Sequence, residues 1–196
     1  AGNELYSTFG HSAIRVSDPK LRLDIVFNYG TFNFQDPNFY PNFVQGKLKY
    51  ILSCYPYRLF YKEYVNEKRS VWEQQLNVNL SERQYLLDSL FINLTEEHRY
   101  YQYAFLNDNC ATRIRDIFVQ AIPRKIEFDY SSFDKGKSYR QLLKPNLINK
   151  PWAELGIDLL MGLPADRTAA PWDYMFLPDH LENAFKNASF VSDSTK

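Results

Sequence analysis

Small or polar residues alternate with apolar ones over Ser12-Ala13-Ile14-Arg15-Val16, and the run stops at the turn signal Ser17-Asp18-Pro19. Alternation of period two predicts a half-buried strand. Leu21 to Tyr29 is rich in β-branched and aromatic residues and ends at Gly30, so it reads as the second arm of a hairpin. Residues 32–46 hold five aromatics and two prolines and read as an irregular loop. Lys47 to Tyr55 alternates like a strand, Pro56 opens a helix through Glu67, and Ser70 to Val78 alternates again. Ser81-Glu82-Arg83-Gln84 has the form of a capping box and predicts a helix to about Leu94.

Tyr100 to Phe105 reads as a short aromatic strand, ended by Asn107-Asp108-Asn109. From Cys110 to Ile122 the apolar spacing turns helical, with Cys110, Ile114, Ile117, Phe118 and Ala121 on one face and Pro123 as the stop. Lys125 to Lys137 reads as loop, Ser138 to Leu143 as a short helix, and Pro151 to Leu160 as a helix with proline at its start. Gly162 to Trp172 reads as loop, Pro178 to Asn187 as the last helix, and residues 191–196 as a frayed tail. Segregated strands and helices, without βαβ alternation, give an α+β class.

Composition narrows the partners. With 196 residues, one domain over residues 1–190 is the expectation. Lys+Arg and Asp+Glu are both 23, so no basic field exists to drive nucleic-acid binding. Two cysteines exclude a disulfide scaffold and a multi-thiolate zinc site. No HExxH, CxxC or glycine-rich phosphate loop occurs, so neither metal nor cofactor is expected. No apolar stretch approaches the ~18 residues of a membrane span. Aromatic residues make up 17% of the chain, which indicates dense packing.

The candidate chemistry centres on Cys110. It stands in the first turn of a predicted helix, where free backbone N–H groups and the positive dipole end favour a thiolate. Arg113 and Arg115 add positive charge nearby. The helical face points Cys110 toward the sheet, where a base on a strand would meet it. The alternative is a buried structural thiol. His11, opening the first strand after Gly10, is the candidate base, because sequence distance does not limit a thiolate–imidazole pair. A third group would orient the imidazole, and Asn28, Tyr29 and Asp24 are the polar residues of the second strand. Cys54, mid-strand, reads as a core thiol, and His98 and His180 as solvated.

These residues also carry a resemblance. Histidine on a first strand followed about 100 residues later by a cysteine at a helix start is the order of circularly permuted papain-like (NlpC-type) folds. Phe9-Gly10-His11-Ser12-Ala13-Ile14-Arg15-Val16, Tyr29-Gly30-Thr31-Phe32, Asn107-Asp108-Asn109-Cys110-Ala111-Thr112-Arg113 and Met175-Phe176-Leu177-Pro178-Asp179 resemble the N-terminal periplasmic domain of the Bacteroides-type bacterial lipoprotein N-acyltransferase family. The resemblance implies a permuted papain-like catalytic domain, an antiparallel sheet packed against helices with added helices, on the periplasmic side of the inner membrane. It implies that Cys110 takes an acyl chain from a phospholipid as a thioester and passes it to the amine of a diacylated lipoprotein. His11 would be base and then acid, and Asn28 would orient the ring. Family members continue into transmembrane helices, which this chain lacks, so membrane attachment would come from outside it. The loop aromatics Phe32, Phe34, Phe39, Tyr40 and Phe43 and the segment Trp172 to Leu177 are candidate walls for an acyl chain, with ordinary core packing as the favoured alternative for most of them. A cell-wall amidase or peptidase with the same dyad, or a non-catalytic lipid-binding module, are the competing readings.

Overall fold

The alternation at the start of the chain becomes β1 (Ile14–Asp18), and the apolar run after the turn becomes β2 (Leu23–Thr31). The computed structural model describes residues 8–32 and 49–191. The two strands pair antiparallel, with Ile14 opposite Phe27 and Asp18 opposite Leu23. Asp18 Oδ1 accepts the N–H groups of Lys20 and Leu21, and Arg22 takes the left-handed conformation (φ 51°) that lets the chain reverse. β3 (Lys49–Pro56) lies beside β2, and β4 (Tyr100–Gln102) lies beside β3. The sheet has the order β1-β2-β3-β4 and is antiparallel throughout. The β2–β3 register shifts between Asn28 and Thr31. Such an irregularity re-aims side chains, and here it falls beside the candidate site.

Six helices follow among the described residues: α1 (Tyr57–Asn66), α2 (Leu80–Asn93), α3 (Cys110–Ala121), α4 (Tyr139–Leu143), α5 (Pro151–Met161) and α6 (Pro178–Lys186). α3 is the central one. It packs on β2, α2, the 3-10 turn Asp173–Phe176 and α6, and buries Ile114, Ile117 and Phe118 as its spacing predicts. Phe27 of β2 and Leu90 of α2 are fully buried in the same core. Phe60 and Tyr64 of α1 bury Val26 on the other side of the sheet.

Several expectations are corrected. Residues 70–78, expected as a strand, form none. Val71, Leu76 and Val78 dock half-buried against the core, and Glu73 reaches Arg15 and Tyr57. Side-chain docking alone satisfies the alternation there, without a ladder partner. The capping box sits two residues earlier than expected. Asn79 Oδ1 accepts the Glu82 N–H, and Glu82 Oε2 accepts the Asn79 N–H. Ser81 merely donates its hydroxyl to Asn79. The fourth strand ends at Gln102 because Ala104 turns to bridge Asp108. The stretch 125–137, read as loop, contains β5 (Ile126–Glu127), which pairs with β6 (Ser189–Phe190). The stretch 162–172 contains a 3-10 turn, Leu163–Asp166. Most of the 32–46 loop and residues 192–196 lie outside the described residues. No helix among the described residues is long and apolar enough to cross a membrane.

Candidate active site

The N-terminus of α3 is held by its own sequence. Asn109 is the N-cap, and its Oδ1 accepts the N–H groups of Ala111 (2.8 Å) and Thr112 (3.0 Å). Thr112 Oγ1 in return accepts the Asn109 N–H at 2.8 Å, closing a reciprocal box. The amide of Asn109 also donates to the carbonyls of Phe105 (2.7 Å) and Phe176 (2.9 Å), so one buried side chain ties three segments together. Asp108 pairs in two places with Arg113. The block 107–113, read as a stop signal followed by a helix, is therefore a clamp that fixes Cys110 in the first helical turn. The cap takes the N–H groups of Ala111 and Thr112 and leaves that of Cys110 itself outside it.

His11 reaches this point from the segment before β1. Its Nε2 lies 2.8 Å from Asn28 Oδ1. The same Oδ1 accepts the Gly30 N–H at 2.8 Å, which identifies it as the amide oxygen. An oxygen there only accepts, so Nε2 carries the proton. Nδ1 is left for Cys110, with which His11 shares a hydrogen bond. Asn28 Nδ2 donates to the Tyr55 hydroxyl at 3.1 Å, which holds the amide from its other end. Of the three polar candidates, the structure brings Asn28 to His11. Asp24 instead pairs with Arg15 on the surface, and the Tyr29 hydroxyl accepts from Asn93.

Gly30 adds a constraint that the sequence did not reveal. A Cβ at this position would stand 2.2 Å from His11 Cε1 and 3.0 Å from Nδ1, so the imidazole lies directly on the glycine backbone. Any side chain at residue 30 displaces the ring.

Burial works against a charge on either partner. On Cys110 it is outweighed by attraction to His11 and by hydrogen bonds from His11 and from the backbone N–H groups of Ser12 and Ala111, so the thiol lies below its ordinary pKa. On His11 it is outweighed by attraction to the Cys110 thiolate and by bonds with Cys110 and Asn28, so the imidazole lies above its ordinary value. Both shifts favour a thiolate–imidazolium pair. Arg113 and Arg115, expected to supply positive charge, are neutralised elsewhere. Arg113 pairs with Asp108 and covers the Tyr101 ring; Arg115 pairs with Asp116 and covers Trp172.

Cys110, His11, Asn28 and Gly30 open onto a cavity of about 450 Å³. Of the expected aromatic walls, Phe32, Phe176 and Leu177 line it, Trp172 does not, and residues 34–43 lie outside the described residues. Further rings come from Phe9, Tyr50, Tyr103 and Phe105, with Tyr50 and Tyr103 stacked at 4.1 Å. α1 contributes a more polar wall with Glu63, Tyr64 and nearby Arg69. Among the described residues no group of three or more His, Cys, Asp or Glu is arranged to hold a metal.

The remaining thiol and histidines stand apart. Cys54 on β3 is a free, half-buried thiol whose pKa burial pushes up. His98 is exposed and bonded to Thr95. His180, expected in solvent, is instead half-buried between Phe133 and Tyr174, at ring distances of 5.5 and 5.6 Å. Its Nδ1 has no hydrogen-bond partner among the described residues, and burial holds its pKa below the ordinary value.

No curated protein and no solved structure matches the chain. The sequence model of a family described as the Lnb N-terminal periplasmic domain matches residues 1–144, which include His11, Asn28, Gly30 and Cys110 but not Met175–Asp179. The match covers well over half of the chain, which therefore belongs to the Lnb N-terminal periplasmic domain family.

Proposed function

We propose that this periplasmic domain is a cysteine acyltransferase of circularly permuted papain-like fold. It would move a fatty acyl chain from a phospholipid to the N-terminal amine of diacylated lipoproteins at the periplasmic face of the inner membrane. The observation that carries the reading is the assignment of both His11 nitrogens: Nε2–H is committed to Asn28, and Nδ1 is left to the thiol. A nucleophile, a base and an orienting group in that relation suit acyl transfer. The chain order His11, Asn28, Cys110, with the cysteine on a helix packed against an antiparallel sheet, supports the permuted fold.

In the first half-reaction the Cys110 thiolate attacks the ester carbonyl of the donor. The ester C–O bond breaks, and the Nδ1 proton of His11 passes to the departing alkoxide, leaving a lysophospholipid. In the second half the lipoprotein amine attacks the thioester. His11 Nδ1 takes a proton from that amine as the C–S bond breaks, and the thiolate–imidazolium pair is restored. The Cys110 N–H, outside the helix cap, would receive the developing oxyanion. The aromatic cavity keeps water from the thioester and offers an apolar surface to the acyl chain.

The test is incubation of the protein with phospholipid and a diacylated lipopeptide, followed by mass spectrometry of the peptide. The expected result is an N-acylated peptide, absent with Cys110→Ala. Cleavage of muropeptides by Cys110 without lipopeptide acylation would overturn it in favour of a cell-wall amidase.

A further inference from the structure

The sheet side of the cavity differs from its aromatic walls. Along β2 and β3, Val26 faces Tyr55, Asn28 faces Ser53 and Thr31 faces Ile51. Facing residues share a side of the sheet, and successive residues alternate. Thr31 stands three residues from Asn28, an odd step that points a side chain to the opposite side in a regular strand. Here β2 advances three residues while β3 advances two, from Ser53 to Ile51, and the extra residue returns Thr31 to the Asn28 side. Thr31 Oγ1 lies 2.5 Å from Ser53 Oγ, so the register shift creates a hydroxyl pair next to the amide that orients His11. Asn28, Thr31, Ser53 and Tyr55 all line the cavity and are half-buried. Tyr55 is committed to Asn28. The Thr31–Ser53 pair is not committed in this way. It holds two hydroxyl protons, of which one closes the bond between them. The other has no acceptor among the described residues and is offered to a ligand in the cavity.

We propose that the Thr31–Ser53 pair is a subsite for the ester carbonyl of a glyceryl lipid, holding one ester while the reaction proceeds at Cys110. Two features select this ligand. The donor is neutral, which suits an uncharged carbonyl oxygen. A phosphate would call for cations, and the arginine of the lining, Arg69, is answered by Glu67 at 2.8 Å and lies over the Tyr64 ring. The pair also adjoins rings that suit acyl chains, Phe9, Phe32, Phe105 and Phe176. A few placed polar groups in an apolar pocket fix the orientation of a ligand, and the ester carbonyl is the polar group that joins such a chain to glycerol. The donor phospholipid and the diacylated acceptor both carry glyceryl esters. The identity of the ligand rests on the acyl-transfer reading; the hydroxyl pair does not.

Replacing an ester by an ether removes the carbonyl and keeps the chain, so matched ester and ether lipids test the subsite. In the donor arm the ether replaces the ester whose acyl chain is not transferred, a position that the lysophospholipid product identifies. In the acceptor arm it replaces the esters of the diacylated lipopeptide. For the wild type the replacement should lower kcat/KM by about three- to tenfold, the worth of one neutral hydrogen bond, and the arm that responds identifies the lipid held. Thr31→Val/Ser53→Ala should bring the ester-to-ether ratio close to one, and Thr31→Ser, which keeps both hydroxyls, should retain the preference. Equal use of ester and ether by the wild type in both arms overturns the proposal, and this comparison needs no variant. So does a preference that the double variant keeps or that Thr31→Ser loses. Absence of any Cys110 adduct overturns the acyl-transfer reading alone. The subsite is then read by equilibrium binding of the same lipid pairs, as monomeric short-chain forms, to Cys110→Ala. Tighter binding of the ester lipid supports it, and equal binding overturns it.

Discussion

Two half-buried free thiols, Cys110 at the start of α3 and Cys54 in the middle of β3, show how neighbours decide reactivity. Burial raises the pKa of both. Among the described residues nothing at Cys54 opposes it. Cys110 faces an imidazole and two backbone N–H groups, and its pKa falls. The histidines repeat the contrast. His180, between two rings and with an Nδ1 unbonded among the described residues, is pushed below its ordinary pKa, while His11, held by Asn28 and Cys110, is raised. Desolvation alone makes a buried group inert, and a chargeable partner with fixed geometry makes it reactive.

The sharpest way to break the contrast is to move the imidazole without touching the thiol. Gly30→Ala drives a methyl group into His11, and acyl transfer should fall roughly 10²-fold, in line with the cost of ångström-scale misplacement. A stopped-time product assay reads this loss, and circular dichroism confirms the fold. Asn28→Ala removes the acceptor that fixes the tautomer. It should cost tenfold or more, but less than the roughly 10²–10⁴ that proton transfer itself supplies.

The thiols can also be compared directly. Because the Cys110 pKa is lowered and that of Cys54 raised, the midpoint of alkylation rate against pH should lie below the ordinary thiol value for Cys110 and above it for Cys54. His11→Ala should shift the Cys110 midpoint upward and leave Cys54 in place. The smallest effect concerns stability. A neutral, buried His180 binds its proton less readily folded than unfolded, so its contribution is present above the unfolded pKa and fades as pH falls. This contribution lowers Tm as pH falls from about 7 to 5, so over that window the Tm of His180→Phe should fall less, or rise more, than that of the wild type. His11, with a raised pKa, acts oppositely: its contribution is full below the unfolded pKa and is lost as pH rises through the folded one.

Cys110, His11 and Asn28 were legible because each stands at or near a position that local patterns define: a helix start, the segment just before the first strand, the polar break in an apolar strand. Gly30 was legible only as a strand end, since its role depends on a ring 19 residues away that comes to lie on it. Asn109 looked like a turn residue, and its three-segment clamp needed the carbonyls of Phe105 and Phe176 in place. Residues 70–78 showed the strand pattern, but a ladder needs a partner edge, which alternation cannot report. The β5–β6 pair joins residues more than sixty apart through only two facing residue pairs, too little for any local signal. The α5 helix was expected, but the outward turn of its Trp152, Leu155 and Leu159 was not, because periodicity gives a stripe without saying which way it points.

The central claim is that Cys110 carries the acyl chain. Intact-mass and peptide analysis after incubation with phospholipid vesicles tests it most directly. The account predicts a hydroxylamine-sensitive acyl adduct on Cys110 and none on Cys54. An unmodified Cys110 under conditions where lipopeptide is acylated, or equal labelling of Cys54, would contradict it.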